Sequence, residues 1–364
     1  MSVGLSENNY PALLLQLFIE RHSASFSLLW PAREPTRLSG QNNNRKDELM
    51  KFDLLCVGLT TLDIVGRPIT EIPRDEGGRL IEQIACAPAG TAAGAACIAA
   101  KLGLKTGLAG AVGDDLTGRF VRFALEEGGV DTSLLTVIKG LPTSATILPI
   151  DLQARRPAFH APGAGSIPPL TDELITAMEN ARALHYAAIG APTFDGGAGE
   201  NLLKAAKTAG VEIFCDLIAP RPGTKEELER ILPHVDWFLP SADEARYLTR
   251  LEDLQSAADA FVAMGAKNCA IKDGRRGAIV SAGDLRGRVP AFKIAAIDTT
   301  TCGDSFCAGF ITARLKGRSD REALKFAAAT AAMVAQGLAT YGKLESFAQV
   351  EDAVNSLPVD EDAA

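Results

Sequence analysis

The sequence predicts an α/β protein in which a doubly wound, mostly parallel sheet is flanked by helices and carries a small separate β-sheet as a lid. From residue 52 onward, short apolar runs alternate with helical segments, the pattern of such a sheet. The chain of 364 residues, 47% hydrophobic and 23% charged, is typical of a soluble globular protein with a substantial core. One region instead alternates with period two around a polar turn, which predicts a hairpin outside the main sheet.

The strands of the main sheet are predicted where the apolar runs are short. They are expected at 54–58, 106–112, 183–189, 211–216, 235–239 and 269–272. Helices are expected at 92–102, 116–127, 321–338 and 347–354, with further helical segments between the later strands. Parallel neighbours need a crossover connection, usually a helix, so this alternation predicts helices on both faces of the sheet.

The lid is predicted from four segments that do not fit the alternation. Residues 143–150 and 157–160 flank the polar turn 151–156, and residues 63–72 and 79–84 are expected to join them. The lid strands are therefore drawn from about 63–84 and 143–160, and such a sheet could cover a site on the main sheet.

The first 49 residues lack a hydrophobic period that continues into a fold. They include the polar run 41–46 and are expected to be a disordered extension of a domain over 50–364. Met50 directly precedes the first strand, so it is alternatively the natural start. The apolar stretches in this segment lack a small-residue cleavage site, which argues against a signal peptide.

Charge and cysteine content exclude several classes of function. A net charge of −8 without a basic stripe argues against a nucleic-acid partner. No apolar run approaches the ~18 residues of a membrane span. The seven cysteines are scattered and odd in number, so neither a disulfide framework nor a zinc site is predicted, and a cytoplasmic location is expected.

The segment 298–310 is polar and contains glycine at the point where a helix must begin. Phe306, Phe310 and Ile311 recur at helical spacing, so the helix is expected to open near Cys302 or Gly303 with unpaired N–H groups. These donors form an anion site, into which Asp304 projects a carboxylate. The pairing favours phosphoryl transfer to a hydroxyl, although aspartate and threonine before a helix are also ordinary capping residues.

Two motifs carry a resemblance to a known family. The order Asp-Thr-Thr-x-x-Gly-Asp-x-Phe-x-x-Gly-Phe at 298–310 resembles the C-terminal signature of the ribokinase-like, or PfkB, carbohydrate and nucleoside kinases. Residues 89–96 stand in the place of that family's Gly-Gly-x-x-x-Asn-x-Ala. The resemblance covers roughly residues 52–356, and no Walker motif appears anywhere.

The resemblance implies an ATP-dependent kinase with Mg²⁺ and a lid on a doubly wound core. It further implies that lid sheets pair into homodimers and that a monovalent cation such as K⁺ binds near Asp298 and Thr300. In this interpretation Asp304 is the general base, and the N–H groups of Thr301, Cys302 and Gly303 stabilise the transferring phosphoryl group. Cys302 replaces the usual alanine, and a thiol at a helix N-terminus is open to a lowered pKa and to oxidation.

Four residues are expected to contact the substrate: Asp63, Gly90, Gly94 and His160. Asp63 follows the first strand and could grip hydroxyls, or it could be a turn residue. The two glycines let a ligand approach the backbone, or ease helix packing. His160, with Arg155 and Arg156, lies on the lid hairpin and could reach over the substrate, although a histidine at a strand end is more often structural.

The acceptor is expected to be held differently from that of a typical ribokinase. Ala89 replaces the first glycine of the upstream motif, and Gly94 and Gly165 stand where relatives carry asparagine. The loss of two amides leaves the identity of the acceptor open.

Ser241, Lys272, Gly274 and Gly277 are expected at the nucleotide, and Glu244 at the metal. The resemblance places Asn-x-x-Glu at 241–244, where the glutamate orders Mg²⁺, and a nucleotide loop at 272–277. Each segment also has an ordinary structural explanation, because Ser241 with Glu244 makes a helix cap and 272–277 makes a hairpin turn.

The sequence thus predicts a kinase for a primary hydroxyl of a small sugar or sugar-like molecule. A nucleoside kinase on the same fold and a non-catalytic sugar or nucleotide sensor are the alternatives. The acceptor, the oligomeric state and cation activation stay open.

Overall fold

A computed structural model describes residues 50–360 of the chain. The extension expected over residues 1–49 lies outside these residues. Over the part described, no helix is both long enough and apolar enough to cross a lipid bilayer.

A ten-stranded, mostly parallel sheet forms the centre of the protein, as predicted. Its strands, in spatial order, are β14 (Leu285–Val289), β13 (Ala278–Ala282), β12 (Cys269–Lys272), β11 (Trp237–Phe238), β10 (Glu212–Leu217), β9 (Ala181–Ile189), β1 (Phe52–Gly58), β4 (Thr106–Gly113) and β5 (Val130–Asp131), with β6 (Leu135–Ile138) also paired to β4. Only the pairs β12–β13 and β13–β14 are antiparallel. The chain first adds β4, β5 and β6 on one side of β1 and then adds β9 to β14 on its other side, so the order of the strands reverses at β1.

Helices cover both faces of this sheet. One face carries α1 (Thr91–Lys101), α2 (Leu116–Glu127), α8 (Cys302–Leu315), α9 (Asp320–Ala335) and α10 (Phe347–Ser356). The other carries α3 (Asp172–Glu179), α4 (Ala198–Ala209), α5 (Thr224–Ile231), α6 (Ala242–Thr249) and α7 (Leu254–Ala263). Successive residues of β1 alternate between the two cores, Leu54 and Cys56 on one side and Leu55 and Val57 on the other. The predicted doubly wound α/β class is confirmed.

A separate four-stranded sheet, hereafter the lid sheet, has the order β3 (Gln83–Ala89), β2 (Thr61–Arg67), β7 (Ala145–Pro149) and β8 (Phe159–Ala161). The prediction of a strand at 79–84 is wrong by several residues. The antiparallel register with β2 runs from Thr61 opposite Ala89 to Arg67 opposite Gln83, so pairing with β2 determines where β3 lies. Its Pro88 is tolerated because β3 is an edge strand.

Register divides the lid sheet into two faces. On one face Ala87, Asp63, Thr146 and His160 form a row across the four strands. On the opposite face Cys86, Ile64, Ile147 and Phe159 form the neighbouring row. The first row is polar at three of four positions and the second is apolar apart from its thiol, so the sheet has one polar and one apolar face.

Candidate active site

The residues predicted to carry chemistry lie where strands of the main sheet end. Asp216 is near the carboxyl end of β10, Ser241 follows β11, and Lys272 ends β12. These three strands are parallel neighbours, so their ends share one edge. The residues at the ends of β11 and β12 are joined directly, since Lys272 N–H donates to Pro240 O at 2.8 Å. Open α/β sheets bind their ligands at this edge.

The helix N-terminus predicted near Cys302 is present, because α8 begins at Cys302. Thr301 precedes it with φ of 59°, a left-handed conformation that is rare for a β-branched residue. Among residues 50–360, the N–H groups of Thr301, Gly303 and Asp304 have no hydrogen-bond acceptor, and Cys302 N–H has only a long contact of 3.4 Å to Thr299 O. Unpaired donors therefore point out of the first turn, as an anion site requires.

Asp304 lies in this first turn, close to several other charges. Burial raises the pKa of its carboxyl well above the ordinary value, and the negative charges of Asp216 and Asp63 add to the effect. Lys272 and Arg156 act in the opposite direction. The carboxylate is thus a base that holds a proton more tightly than a solvent-exposed aspartate does.

The side chain of Lys272, at the end of β12, extends to the first turn of α8. Its Nζ donates to Asp216 Oδ2 at 2.5 Å and to Cys307 Sγ at 3.4 Å. A Cβ built on Gly303 would lie 3.8 Å from the same Nζ. Asp216 and its neighbouring carboxylates hold the pKa of Lys272 above its usual range, so the side chain stays a cation beside the anion site.

His185 is fully buried next to Asp216. With Asp216 and Cys307 it forms a cluster whose ligand atoms lie within 4.8 Å of one another. Burial lowers the pKa of its imidazole to about 4, so the ring is neutral. The ammonium of Lys272 already supplies a cation to this cluster. Neither ring nitrogen has a hydrogen-bond partner among the described residues.

Ser241 and Glu244 form the capping box that the sequence allowed. Glu244 Oε2 accepts from Ser241 N–H at 2.6 Å, and Ser241 Oγ accepts from Glu244 N–H at 3.3 Å. Burial and the charge of Asp216 raise the pKa of Glu244. The structural explanation is therefore correct, while contact of Glu244 with Mg²⁺ and of Ser241 with the nucleotide stays a prediction.

Asp63 and His160 are brought together by the polar row of the lid sheet. His160 Nδ1 lies 3.1 Å from Thr146 Oγ1, a hydrogen bond whose donor depends on the tautomer of the imidazole. Thr146 is also the cross-strand neighbour of Asp63 and acts to lower the pKa of its carboxyl. Burial raises the pKa of Asp63 to about 6.

Arg156 connects the lid hairpin to the segment that precedes α8. Its Nε donates to Thr299 Oγ1 at 3.0 Å, across 143 positions of sequence. The guanidinium is close enough to Asp63 and Asp304 to lower the pKa of both carboxyls. Its neighbour Arg155 is instead bound to Asp151 at 2.6 Å within the turn. Only Arg156 of this pair therefore faces the predicted substrate position.

The predicted glycines have different surroundings. A Cβ on Gly94 would lie 2.8 Å from Thr301 Cγ2 and 3.1 Å from Asp304 Oδ2, so Gly94 borders the first turn of α8. A Cβ on Gly90 would lie 2.6 Å from Leu59 O, and one on Gly165 only 1.8 Å from Thr60 O. These two positions are therefore glycine because backbone lies against them. Their contact with a ligand stays a prediction.

In the hairpin between β12 and β13, the two glycines also differ. Gly277, with φ of 89°, packs against the backbone of the next strand, since a Cβ there would lie 2.0 Å from Val289 O. Gly274, with φ of 57°, has nothing within 4 Å of a built Cβ. Packing therefore accounts for Gly277 but not for Gly274, whose contact with a nucleotide stays a prediction.

The expectation of a lowered thiol pKa at Cys302 is wrong. Burial, together with the charge of Asp298, raises the pKa of Cys302 to about 12. The helix N-terminus therefore does not activate this cysteine.

Asp298 has a structural task in the loop before α8. Its Oδ1 accepts from Thr300 N–H at 2.7 Å and its Oδ2 from Ala339 N–H at 2.8 Å. The hydroxyl of Thr300 is buried and has no partner among the described residues. Asp298 thus ties the loop to the chain after α9.

Sequence reasoning missed Asp216 and Thr146. Asp216 is the penultimate residue of β10, after the buried run 213–215, and a carboxylate at that place was the available signal. Thr146 is a polar residue at an inward position of a lid strand, but only strand register places it between Asp63 and His160.

Comparison with known proteins gives one family match and several similar sequences. Residues 51–346 match the model of a family described as pfkB family carbohydrate kinase. A nucleoside kinase from Methanothermobacter thermautotrophicus is 27% identical over 286 residues, which are 78% of this chain and 89% of that protein. A ribokinase from Haemophilus influenzae is 29% identical over 260 residues, 67% of this chain and 79% of that protein.

Solved structures share the fold. Arabidopsis thaliana ribokinase, in complex with ribose and ATP, has a TM-score of 0.69 at 23% identity, with 84% of this chain and 99% of that chain covered. A ribokinase II candidate from E. coli, in complex with ATP and Mg²⁺, has a TM-score of 0.72 at 20% identity, with 83% and 99% covered.

Proposed function

The chain belongs to the pfkB family of carbohydrate kinases, and from that premise we propose that it transfers the γ-phosphoryl group of ATP to a primary hydroxyl of a small sugar or sugar-like acceptor, with Asp304 as the general base. One observation carries the proposal. Asp304 lies next to the unpaired N–H groups of Thr301 and Gly303 at the start of α8, beside the ammonium of Lys272. A carboxylate among donors for an anion is the arrangement that deprotonates a nucleophile attacking a phosphoryl group.

Asp304 would accept the proton of the attacking hydroxyl through its carboxylate. Its raised pKa makes it a stronger base than an exposed aspartate when it is ionised. The N–H groups of Thr301, Cys302 and Gly303 would donate to the phosphoryl oxygens as their negative charge is redistributed. Asp63 would hold neighbouring hydroxyls of the acceptor, with Gly94 leaving room for it beside Asp304.

The residues present fit ATP and Mg²⁺. Asp216, Glu244 and Asp304 influence one another electrostatically and share one ammonium, that of Lys272, which leaves two negative charges if all three are ionised. A divalent cation would balance this excess, and carboxylate oxygens are the ligands that Mg²⁺ prefers. Glu244 would hold the ion, while Lys272, Ser241 and Gly274 would contact the nucleotide. Mg²⁺ supplies charge neutralisation on the phosphates.

Substitution of the proposed base tests the function. Asp304→Asn should abolish ADP formation with every acceptor and leave binding of the ATP analogue AMP-PNP within about threefold of wild type, measured by calorimetry. Acceptors to be screened are sugars, sugar acids and nucleosides. Turnover of the variant near the wild-type rate would refute the assignment.

A nucleoside kinase is the second candidate, and the 27% identity to a nucleoside kinase over most of the chain favours it. Asp63 would accept hydrogen bonds from the ribose hydroxyls of a nucleoside in the same way. Product from purine nucleosides, with none from hexoses or ketoses, would select this alternative.

A homodimer through the apolar face of the lid sheet is proposed as well. Ile84, Ile147 and Phe159 are 69%, 56% and 54% exposed on the lid strands. A second copy of the sheet would cover this face with matching apolar rows. Ile147→Glu should halve the molar mass in light scattering if the dimer forms there, and Lys139→Glu, a charge change elsewhere, should not.

A monovalent cation is proposed beside the loop that precedes α8. The unpartnered, buried hydroxyl of Thr300 fits such an ion, although the oxygens of Asp298 already accept two backbone N–H groups. Replacement of K⁺ by Li⁺ should lower the turnover if the ion binds, and equal rates would exclude it.

A further inference from the structure

Arg156 is exposed, and the two terminal nitrogens of its guanidinium have no hydrogen-bond partner among residues 50–360. Its only hydrogen bond among the described residues is that from Nε to Thr299 Oγ1, and no carboxylate oxygen of residues 50–360 lies within 4.0 Å of it as an ion pair. Other arginines in the same part of the chain form ion pairs, as Arg155 does with Asp151 and Arg276 with Asp273. The planar donor fork of Arg156 is thus available for a ligand.

The position of this fork is the acceptor side of the site. Arg156 acts electrostatically on Asp63 and Asp304, the two carboxyls proposed to grip and to deprotonate the acceptor. Thr299, which holds Nε, precedes the catalytic turn by two residues. A molecule that spans Asp304 and Asp63 would therefore also meet the free edge of the guanidinium.

The other polar groups on this face of the lid sheet do not provide a positive charge. His160 is neutral at pH 7, because burial lowers its pKa, and its Nδ1 is hydrogen-bonded to Thr146 Oγ1. Gly94 and Gly165 offer no side-chain amide. Lys272 is occupied by Asp216 at the phosphate end. The polar contacts for the body of the acceptor are a carboxylate, a hydroxyl, a neutral imidazole and the cation of Arg156.

From this arrangement we infer that Arg156 selects an acceptor with an anionic substituent, a carboxylate or a phosphate ester, over its neutral counterpart. This inference rests on the proposed kinase function and names the substrate class of the same site. A guanidinium fork donates two parallel hydrogen bonds to a carboxylate or phosphate, whereas a hydroxyl offers one acceptor atom. The anionic group would replace water at the terminal nitrogens while Nε stays on Thr299.

The test measures binding, which does not depend on turnover. Full-length wild-type protein with AMP-PNP and Mg²⁺ is titrated with two matched pairs, D-gluconate against D-glucitol and D-fructose 1-phosphate against D-fructose. At least one anion should bind ten times more tightly than its neutral partner. Preference for gluconate alone identifies a carboxylate acceptor, and preference for the phosphate ester alone identifies a sugar phosphate.

Three variants complete the experiment. Arg156→Met should weaken binding of the preferred anion by about 10- to 100-fold, the value of a charge-assisted bidentate contact. Binding of the neutral partner should weaken by less than about threefold. Arg156→Lys should retain part of the preference, since the charge stays and the fork is lost. Arg155→Met is the matched control, because Arg155 forms an ion pair with Asp151 within the turn. It should leave the affinity for both ligands unchanged.

Other results would overturn the inference. Equal affinity for anion and neutral partner in the wild type, or no binding of either, excludes an anion site at Arg156. Equal losses for both ligands in Arg156→Met would mean that the residue only holds the lid hairpin against Thr299. A wild type that binds the anion in an Arg156-dependent way but phosphorylates no acceptor would refute the proposed function and leave the anion site in place.

Discussion

Lys272 Nζ donates to Asp216 Oδ2 at 2.5 Å, and both side chains are buried, with 12% and 3% exposure. The pair joins the ends of two parallel strands to the first turn of α8, because the same ammonium lies beside Gly303. A cation inside the protein needs such a partner, since its desolvation is costly. Asp216 therefore positions Lys272 at the anion site.

Removal of one member of this pair should destabilise the protein. Lys272→Met leaves Asp216 buried without its counterion, and a loss of about 3–5 kcal/mol in the free energy of unfolding is expected. The double variant Lys272→Met/Asp216→Asn should lose less than the sum of the two single losses, as measured by urea denaturation. Additive losses would mean that the two side chains act independently.

Asp216→Asn should also weaken nucleotide binding, although Asp216 itself is not proposed to contact the nucleotide. The amide does not hold the ammonium as the carboxylate does, so the KM for ATP should rise about tenfold or more while the KM for the acceptor changes little. Arg286→Met, which breaks an exposed ion pair with Asp259 elsewhere on the sheet, is the control and should leave both constants unchanged. A rise confined to the acceptor KM would contradict this prediction.

Acceptor binding should weaken in acid as Asp63 takes up a proton. Because burial raises the pKa of Asp63 to about 6, the protonated form becomes dominant below that pH and accepts fewer hydrogen bonds from hydroxyls. The dissociation constant of the acceptor should rise about tenfold per pH unit below about pH 6. Calorimetry on the wild type and on Asp63→Asn separates this group from others, since the variant should lack the pH-dependent step.

Asp63→Asn should at the same time stabilise the fold at neutral pH. The native state binds this proton more tightly than the unfolded chain, whose carboxyl has a pKa of 3.8. Stability from this group is therefore present below about pH 4, falls as pH rises to about 6, and stays lower above it. Removal of the charge should raise the free energy of unfolding by about 2–3 kcal/mol at pH 7, as measured by denaturant unfolding. A destabilised Asp63→Asn protein would argue against this account.

Gly94 and Thr301 should behave as a coupled pair. Gly94→Ala places a methyl group 2.8 Å from Thr301 Cγ2 and 3.1 Å from Asp304 Oδ2, so the turnover should fall at least tenfold. Thr301→Gly removes the obstructing methyl group and relieves a positive φ, and the double variant should regain much of the loss. Gly78→Ala, with nothing within 4 Å, serves as the control. Failure of the second substitution to rescue would exclude this packing.

Cys302 should resist alkylation in the native protein. Its thiol pKa is raised to about 12, so little of the reactive thiolate is present at pH 8. Iodoacetamide at pH 8 should therefore modify Cys302 in the urea-unfolded protein and spare it in the native protein, as read by peptide mass spectrometry. Inactivation of the wild type that Cys302→Ala prevents would contradict the raised pKa.

Local pattern was sufficient for much of the fold. The helix 116–127 and the strand 269–272 have the predicted bounds, since apolar period and flanking residues define them without help from distant chain. The strand expected at 79–84 was misplaced because β3 is an edge strand with Pro88 and small residues, and only pairing with β2 determines its register. Asp216 was overlooked because its pairing with Lys272, 56 positions away, becomes visible only when the strands are placed side by side.

The sequence by itself determined the α/β class, the start of α8 and the presence of Asp304 in an N-terminal helical turn, because hydrophobic periodicity and unpaired helix donors are local properties. Only the tertiary structure decided which charges share the site. The ends of β10 and β12 bring Asp216 to Lys272, the lid register brings Thr146 between Asp63 and His160, and Arg156 reaches Thr299 across 143 positions. Burial then raises the pKa of Asp63 and of Asp304, since desolvation depends on the packing around each carboxyl.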